Sequence, residues 1–287
     1  MSLSLWFAGA RPRTLPAAVV PVAVGTGVAA AAGRVRLLEA MLALSVSLSL
    51  QIASNYSNDY SDGIRGTDEK RSGPLRLVAS GSKSPKVVRR VAVGFFVLAG
   101  ILGLILAVLT SFWLIVVGVA AILAGWFYTG GSKPYGYYGY GELFVFIFFG
   151  LVAVVGTAFV QIGQVNFSQF LVAVPVGISS VCLLVVNNLR DIPSDAKAGK
   201  KTLAVRIGDR WTRILYLSLV VVMFVSVAFS WFYFRFGPLG LLAIPFAFAP
   251  IRAVAGGASG QELIPALGLT GRMQLALALF FSIGIAL

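Results

Sequence analysis

Between Asn55 and Arg76 the chain reads NYSNDYSDGIRGTDEKRSGPLR, and this segment holds Asp59, Asp62 and Asp68, half of the six aspartates in 287 residues. It begins where a long apolar run ends. If that run is helical, Asn55, Asn58, Asp59 and Asp62 stand at i, i+3, i+4 and i+7 and share one face near the helix end. Carboxylates one turn apart repel each other, and burying them demands a cation. An oxygen-only set of Asp and Asn suits Mg²⁺, which keeps several waters and shares its remaining positions with phosphate oxygens. The same residues are equally ordinary in a solvated, helix-capping loop, where Asn and Asp bond their own backbone. Taken alone, the segment leaves both readings open.

A second constellation tips the balance. Residues 187–203 read NNLRDIPSDAKAGKKTL, with Asn187 and Asn188 ahead of Asp191 and Asp195, again at the end of an apolar run. Pro193 disfavours helix at Ile192, so the helix is expected to end there, with Asp195 in the loop. The two clusters follow the second and sixth apolar runs. An even number of crossings puts both on one membrane side, and a weak likeness between them hints at a four-helix duplication. Two facing carboxylate clusters favour a shared divalent-metal site. Around them stand Arg65, Arg76, Lys133, Arg190, Lys197, Lys200 and Lys201, and acidic metal ligands ringed by cations describe a diphosphate site. For any single cation, topological charge bias is the competing explanation; Arg65, Lys133 and Arg190 stand out by position. The connection 128–142, YTGGSKPYGYYGYGE, adds Tyr128, Tyr135, Tyr137, Tyr138 and Tyr140 on a glycine-loosened backbone beside Lys133 and Glu142. Its rings suit an interfacial belt or the wall of the same cavity, where aromatic faces stabilise a cation.

The elements that must position these residues are membrane helices. Hydrophobic residues make up 58% of the chain and charged residues 11%, against roughly 25% charged in soluble domains. The expected fold is an all-α integral membrane protein, a single polytopic domain over 1–287 with two four-helix pseudo-repeats plus a ninth helix. Apolar runs near 15–32, 38–57, 91–109, 112–128, 143–161, 170–187, 213–234, 238–255 and 273–287 give nine spans around a central cavity. Pro175, Pro245 and Pro250 within them fit helices that kink or pack closely. Trp6, Arg11 and Arg13 precede the first run as a short interfacial segment. Ala30–Ala32 superficially resembles a signal-peptide cleavage site, but the run is too long for a leader and reads as retained. Of the 23 Lys and Arg residues, all but Arg34, Arg36 and Arg235 fall on one side if the N-terminus is cytoplasmic, which orients both Asp clusters to the cytoplasm. The net charge of +13 then points to anionic head groups and anionic substrates. It does not point to nucleic acid, because the basic loops lack base-stacking aromatics. Cys182, the one cysteine, sits in an apolar run as a packing residue and excludes an internal disulfide. There is no histidine, which removes the commonest zinc ligand and the usual general base.

NDYSDGIRGTD and NNLRDIPSDAKAGKKTLAVRIG resemble the two Asp-rich motifs of the UbiA superfamily of intramembrane aromatic prenyltransferases. The first motif is spaced D-x₂-D-x₅-D rather than the general D-x-x-D-x-x-x-D. With GPLRLV and YTGGSKPYGY, it resembles the branch that prenylates 1,4-dihydroxy-2-naphthoate. The resemblance runs from RPRTLP at Arg11–Pro16 to QELIP at Gln261–Pro265. It implies nine helices around a lipid-facing cavity, with Mg²⁺ and the diphosphate of a polyprenyl diphosphate at a cytoplasmic mouth in the cell membrane. Matched by position, Asn58, Asp59, Asp62, Asp68, Asp191 and Asp195 would serve metal and diphosphate. Asn55, Arg65, Lys133, Asn187, Asn188 and Arg190 would assist, and Tyr128 with the following tyrosines would line the acceptor side. Two rivals remain: a sister enzyme with another aromatic acceptor (hydroxybenzoate, homogentisate or a chlorophyllide), and a transporter of an anionic solute. A transporter would place its polar residues at mid-membrane.

Overall fold

The computed structural model describes residues 3–67, 73 and 75–287, and among them there are helices and no strands. A short α1 (Leu3–Gly9) leads through the turn Pro12–Thr14 into α2 (Pro16–Ala31). Then come α3 (Leu37–Ile64), α4 (Pro85–Leu109), α5 (Trp113–Phe127), α6 (Gly141–Ile162) and α7 (Phe167–Lys197). The chain closes with α8 (Leu203–Phe229), α9 (Ile244–Ala255) and α10 (Leu263–Ala286). Seven of the described helices are long and apolar enough to cross a membrane, or eight if the pair bent by 52° between Thr14 and Pro16 is one span. The shorter apolar helix α5 fills the place of the remaining expected run. Each of the nine apolar runs thus falls on a helix.

The helix that organises the bundle is α7. Of its most apolar stretch 78% is buried, against 28% for α4, so α7 is surrounded by protein while α4 faces outward. Val172, Val176, Cys182 and Val186 of α7 pack with Val20 and Val24 of α2, Tyr216 and Met223 of α8, and Leu277 and Phe281 of α10. A smaller core joins α3 and α4 through Tyr56, Val88 and Ala92, with Leu77 between them and Trp6 of α1 against it. The Tyr56 hydroxyl donates to the Trp6 carbonyl at 2.6 Å. Val97, Ile101 and Val108 of α4 and Val116 of α5 stay exposed, which suits an acyl-chain environment.

One irregularity shapes the interior. Residues Phe146–Val152 of α6 form a π-helical stretch, where α6 and α7 touch backbone to backbone. A Cβ added at Gly150 would stand 2.6 Å from the Gly177 Cα, closer than any side chain tolerates. Such wide turns commonly mark functional sites, and this one turns Phe148, Phe149 and Val152 toward a central cavity.

Three expectations are corrected. Pro193 does not end α7, which continues to Lys197. A proline forfeits one backbone bond and crowds the preceding turn, and here the terminus is held by the Ser194 hydroxyl on the Asp191 carbonyl (3.0 Å) and the Lys200 amide on the Asp195 carbonyl (2.9 Å). α10 begins ten residues before the expected 273, so Arg272 lies within a helix rather than a loop. The polar residues along its first half are bonded inside the bundle: Thr270 to the Tyr216 hydroxyl, Gln274 to Ser179 and Ser180. α8 begins at Leu203, because the Thr202 hydroxyl caps the Val205 amide, and it breaks at Gly208 (φ 78°) before the main span.

Candidate functional site

Because α3 stays helical to Ile64, Asn55, Asn58 and Asp62 form one stripe on the wall of a cavity of about 300 Å³. α7 supplies Asn187 and Asn188 to the same cavity, and the α7–α8 connection supplies Lys200. The two Asp clusters meet at Lys200. Its ammonium lies 3.5 Å from Asp62 Oδ2 and 3.8 Å from Asp195 Oδ1. Burial works against that charge, but Asp62 and Asp195 outweigh it and hold Lys200 above the ordinary lysine range.

The tyrosine-rich connection closes over this point. The Tyr137 hydroxyl donates to Asp62 Oδ1 at 2.7 Å and lies 3.2 Å from the Thr67 hydroxyl. Its ring stands between two cations, with Lys200 Nζ 5.0 Å and the Arg65 guanidinium 5.2 Å from its centre. Burial first, then the Asp62 charge, pushes the Tyr137 phenol up to about 12, so it remains a donor at working pH. Arg65 fastens the loop to α3 through the carbonyls of Thr129 and Gly131, and the Thr129 hydroxyl donates to Asn58 Oδ1 at 2.7 Å. Deeper in, Tyr128, Tyr135, Phe144 and Phe148 line the cavity as an aromatic ladder. Tyr135 stacks on Phe144 at 4.0 Å, and Phe144 on Phe148 at 6.2 Å.

Several of the other expected residues have partners of their own. Asp59 is buried and accepts the backbone amides of Leu77 and Val78 at 2.9 and 3.0 Å. It thereby fixes the strand of loop that carries Arg76 to the cavity. Arg190 is buried and makes a two-pronged bond to Asp191 (both 2.8 Å) and another to Asn187 Oδ1 at 2.7 Å. Asn188 donates to Glu142 Oε1 at 3.0 Å. Lys133 is exposed on its loop. Asp68 lies outside the described residues. Lys200 and Tyr137, which sequence reasoning kept in the background, hold the centre; the GKK run beside the second cluster was the available signal.

Among the described residues no three His, Cys, Asp or Glu side chains meet as a metal-binding group. The donors available are hard oxygens: the Asp62 and Asp195 carboxylates meet at Lys200, and Asn58 and Asn187 line the same cavity. Such a set fits Mg²⁺ that completes its octahedron with water and phosphate, and it does not fit a closed protein cage. Lys200 already shows that a positive charge is held between the two carboxylates.

Comparison with known proteins agrees with this arrangement. Residues 18–261 match the UbiA prenyltransferase family. The chain is 49% identical to the 1,4-dihydroxy-2-naphthoate octaprenyltransferase of Mycobacterium tuberculosis, covering 97% of this chain and 95% of the relative. It is 35% identical to the protein of the same name from Escherichia coli, covering 98% and 95%. The fold is similar, with a TM-score of 0.70 and 15% identity over 98% of this chain and 99% of the other, to a UbiA homolog from Archaeoglobus fulgidus bound to GPP and Mg²⁺.

Proposed function

Because this chain belongs to the UbiA prenyltransferase family, we propose that it transfers a polyprenyl group from an allylic polyprenyl diphosphate to 1,4-dihydroxy-2-naphthoate. CO₂ is lost, and the product is demethylmenaquinone in its reduced form. The protein is an integral membrane enzyme; in this reading it spans the cell membrane nine times, with the N-terminus and the cavity mouth cytoplasmic. The positive-inside distribution supports that orientation. The observation that carries the reading is the convergence of Asp62 and Asp195, from two separate motifs, on one buried cation.

Asp62 and Asp195, with the amide oxygens of Asn58 and Asn187, would hold Mg²⁺. When bound, that ion supplies charge for a departing diphosphate. Lys200 and Arg76 add fixed positive charge to the cavity wall. Tyr137 orients Asp62 through its hydroxyl. The apolar side of the cavity excludes water, and the rings of Tyr128, Tyr135, Phe144 and Phe148 face the region where an allylic cation would form. In the reaction the donor's C–O bond breaks and its electron pair leaves with diphosphate. The electron-rich ring then forms the new C–C bond at the carboxylate-bearing carbon. Departure of CO₂ returns its bonding pair to the ring, so no strong base need take a ring proton, and a histidine-free site suffices. The relatives' names and the GPP- and Mg²⁺-bound homolog support this choice of substrates and metal. In detergent, labelled polyprenyl diphosphate should yield a lipid-soluble naphthohydroquinone, stop with EDTA and resume with Mg²⁺, with Zn²⁺ a poor substitute. Turnover in metal-free buffer, or product only with another aromatic acid, would overturn the assignment.

A further inference from the structure

Polar side chains line the cavity beyond its Asp62–Lys200 end. Asn55 and Gln51 continue the α3 stripe inward from Asp62, and at 1.5 Å per residue they lie about 10 and 16 Å along the helix from it. An apolar prenyl tail gains nothing from such groups. Facing them is the turn between α1 and α2, where Arg11 and Thr14 line the cavity.

This turn is built with care. Arg11 is the one described non-glycine residue with positive φ (54°), a backbone state that costs an L-residue free energy and persists only where its surroundings enforce it. The enforcement is visible. The Thr14 amide and hydroxyl both donate to the Arg11 carbonyl at 2.9 Å. Asn55 Nδ2 donates to the Ala10 carbonyl at 2.8 Å and to Thr14 Oγ1 at 3.1 Å, and Gln51 Nε2 donates to Thr14 Oγ1 at 3.1 Å. The Arg11 guanidinium is steadied by the Asn55 carbonyl at 3.2 Å. From the other side Gly271 of α10 packs on the turn, with room for a Cβ only 3.3 Å from the Arg13 carbonyl.

We propose that this turn is the acceptor subsite and that Arg11 recognises the carboxylate of the aromatic acid, a planar anion matched by a guanidinium fork. The inference rests on the function proposed above and deepens it. It separates the two anions of the reaction: diphosphate at the Asp62–Lys200 end, carboxylate at the Arg11 end.

The test compares 1-hydroxy-2-naphthoate with 1-naphthol as inhibitors of prenyl transfer, in wild type, Arg11→Met and Arg11→Lys. Arg11→Met should raise the inhibition constant of the acid and the KM of the dihydroxynaphthoate by about 10- to 100-fold, the scale of a charge-assisted contact. The naphthol constant and the KM for polyprenyl diphosphate should stay within about twofold. Arg11→Lys should restore part of the preference for the acid. If both inhibitors weaken together, or the donor KM rises instead, Arg11 does not read the carboxylate. Should Arg11→Met fail to fold, the acid-to-naphthol ratio in Arg11→Lys against wild type decides alone, and an unchanged ratio overturns the proposal. A wild type that prenylates no naphthoate would overturn the function itself; an active wild type with an Arg11-independent ratio would overturn this inference only.

Discussion

Exchanging Asp62 and Asp195 for asparagine, singly and together, probes whether the two motifs act as one site. Lys200 Nζ lies 3.5 Å from one carboxylate and 3.8 Å from the other, with side chains only 11%, 3% and 7% exposed. With an effective dielectric constant near 20, unit charges at those separations attract by about 4–5 kcal/mol each, before the several kcal/mol spent desolvating each ion. The net effect on folding is therefore modest. The effect on transition-state charge is not: loss of one preorganised electrostatic contact costs on the order of 10²–10³ in rate. Asp62→Asn and Asp195→Asn should each lose that much. Independent sites would multiply the losses to about 10⁴–10⁶, whereas groups working as a unit are strongly non-additive. The double variant should fall within about tenfold of the worse single one. Initial rates in detergent at saturating Mg²⁺ and donor give the answer, with size-exclusion profiles to confirm folding. Multiplying losses would refute the shared site.

Lys200→Met leaves two carboxylates facing each other without their ammonium. Its melting temperature should fall below wild type without divalent metal, and Mg²⁺ should raise it by more than in wild type, as expected for a ligand that binds the folded state; an equal Mg²⁺ shift in both proteins would contradict the bridge. Asp59→Asn places an amide NH₂ against a backbone N–H of Leu77 or Val78, and should cost about 2–3 kcal/mol of stability. Denaturation in detergent measures it. Unchanged stability with weakened Mg²⁺ dependence would instead make Asp59 a metal ligand.

Most of the architecture was legible because apolar runs of membrane length leave the backbone few options. The places where reading failed have local causes. Proline-based rules place a helix end at Ile192, but they do not register that the Ser194 hydroxyl and the Lys200 amide secure the Asp191 and Asp195 carbonyls on either side of Pro193. Thr270 fell outside the expected run because its partner, Tyr216, is distant in sequence. Within the site, spacing put Asn58, Asp59 and Asp62 on one helix face. It did not resolve the 100° between Asn58 and Asp59, which separates the cavity wall from the loop that Asp59 anchors. Lys200 was one cation among seven until the fold put it between two carboxylates, and Arg11 read as an interfacial arginine because nothing local announces its turn.

The central claim, decarboxylative prenyl transfer at this cavity, is tested most directly with dihydroxynaphthoate labelled at its carboxyl carbon and a polyprenyl diphosphate labelled in the chain. Purified protein with Mg²⁺ should release labelled CO₂ and form chain-labelled prenyl naphthohydroquinone in equal amounts, with both lost in Asp62→Asn. A prenylated product that keeps the carboxyl label, or the absence of any lipid-soluble product from this acceptor, would contradict the account.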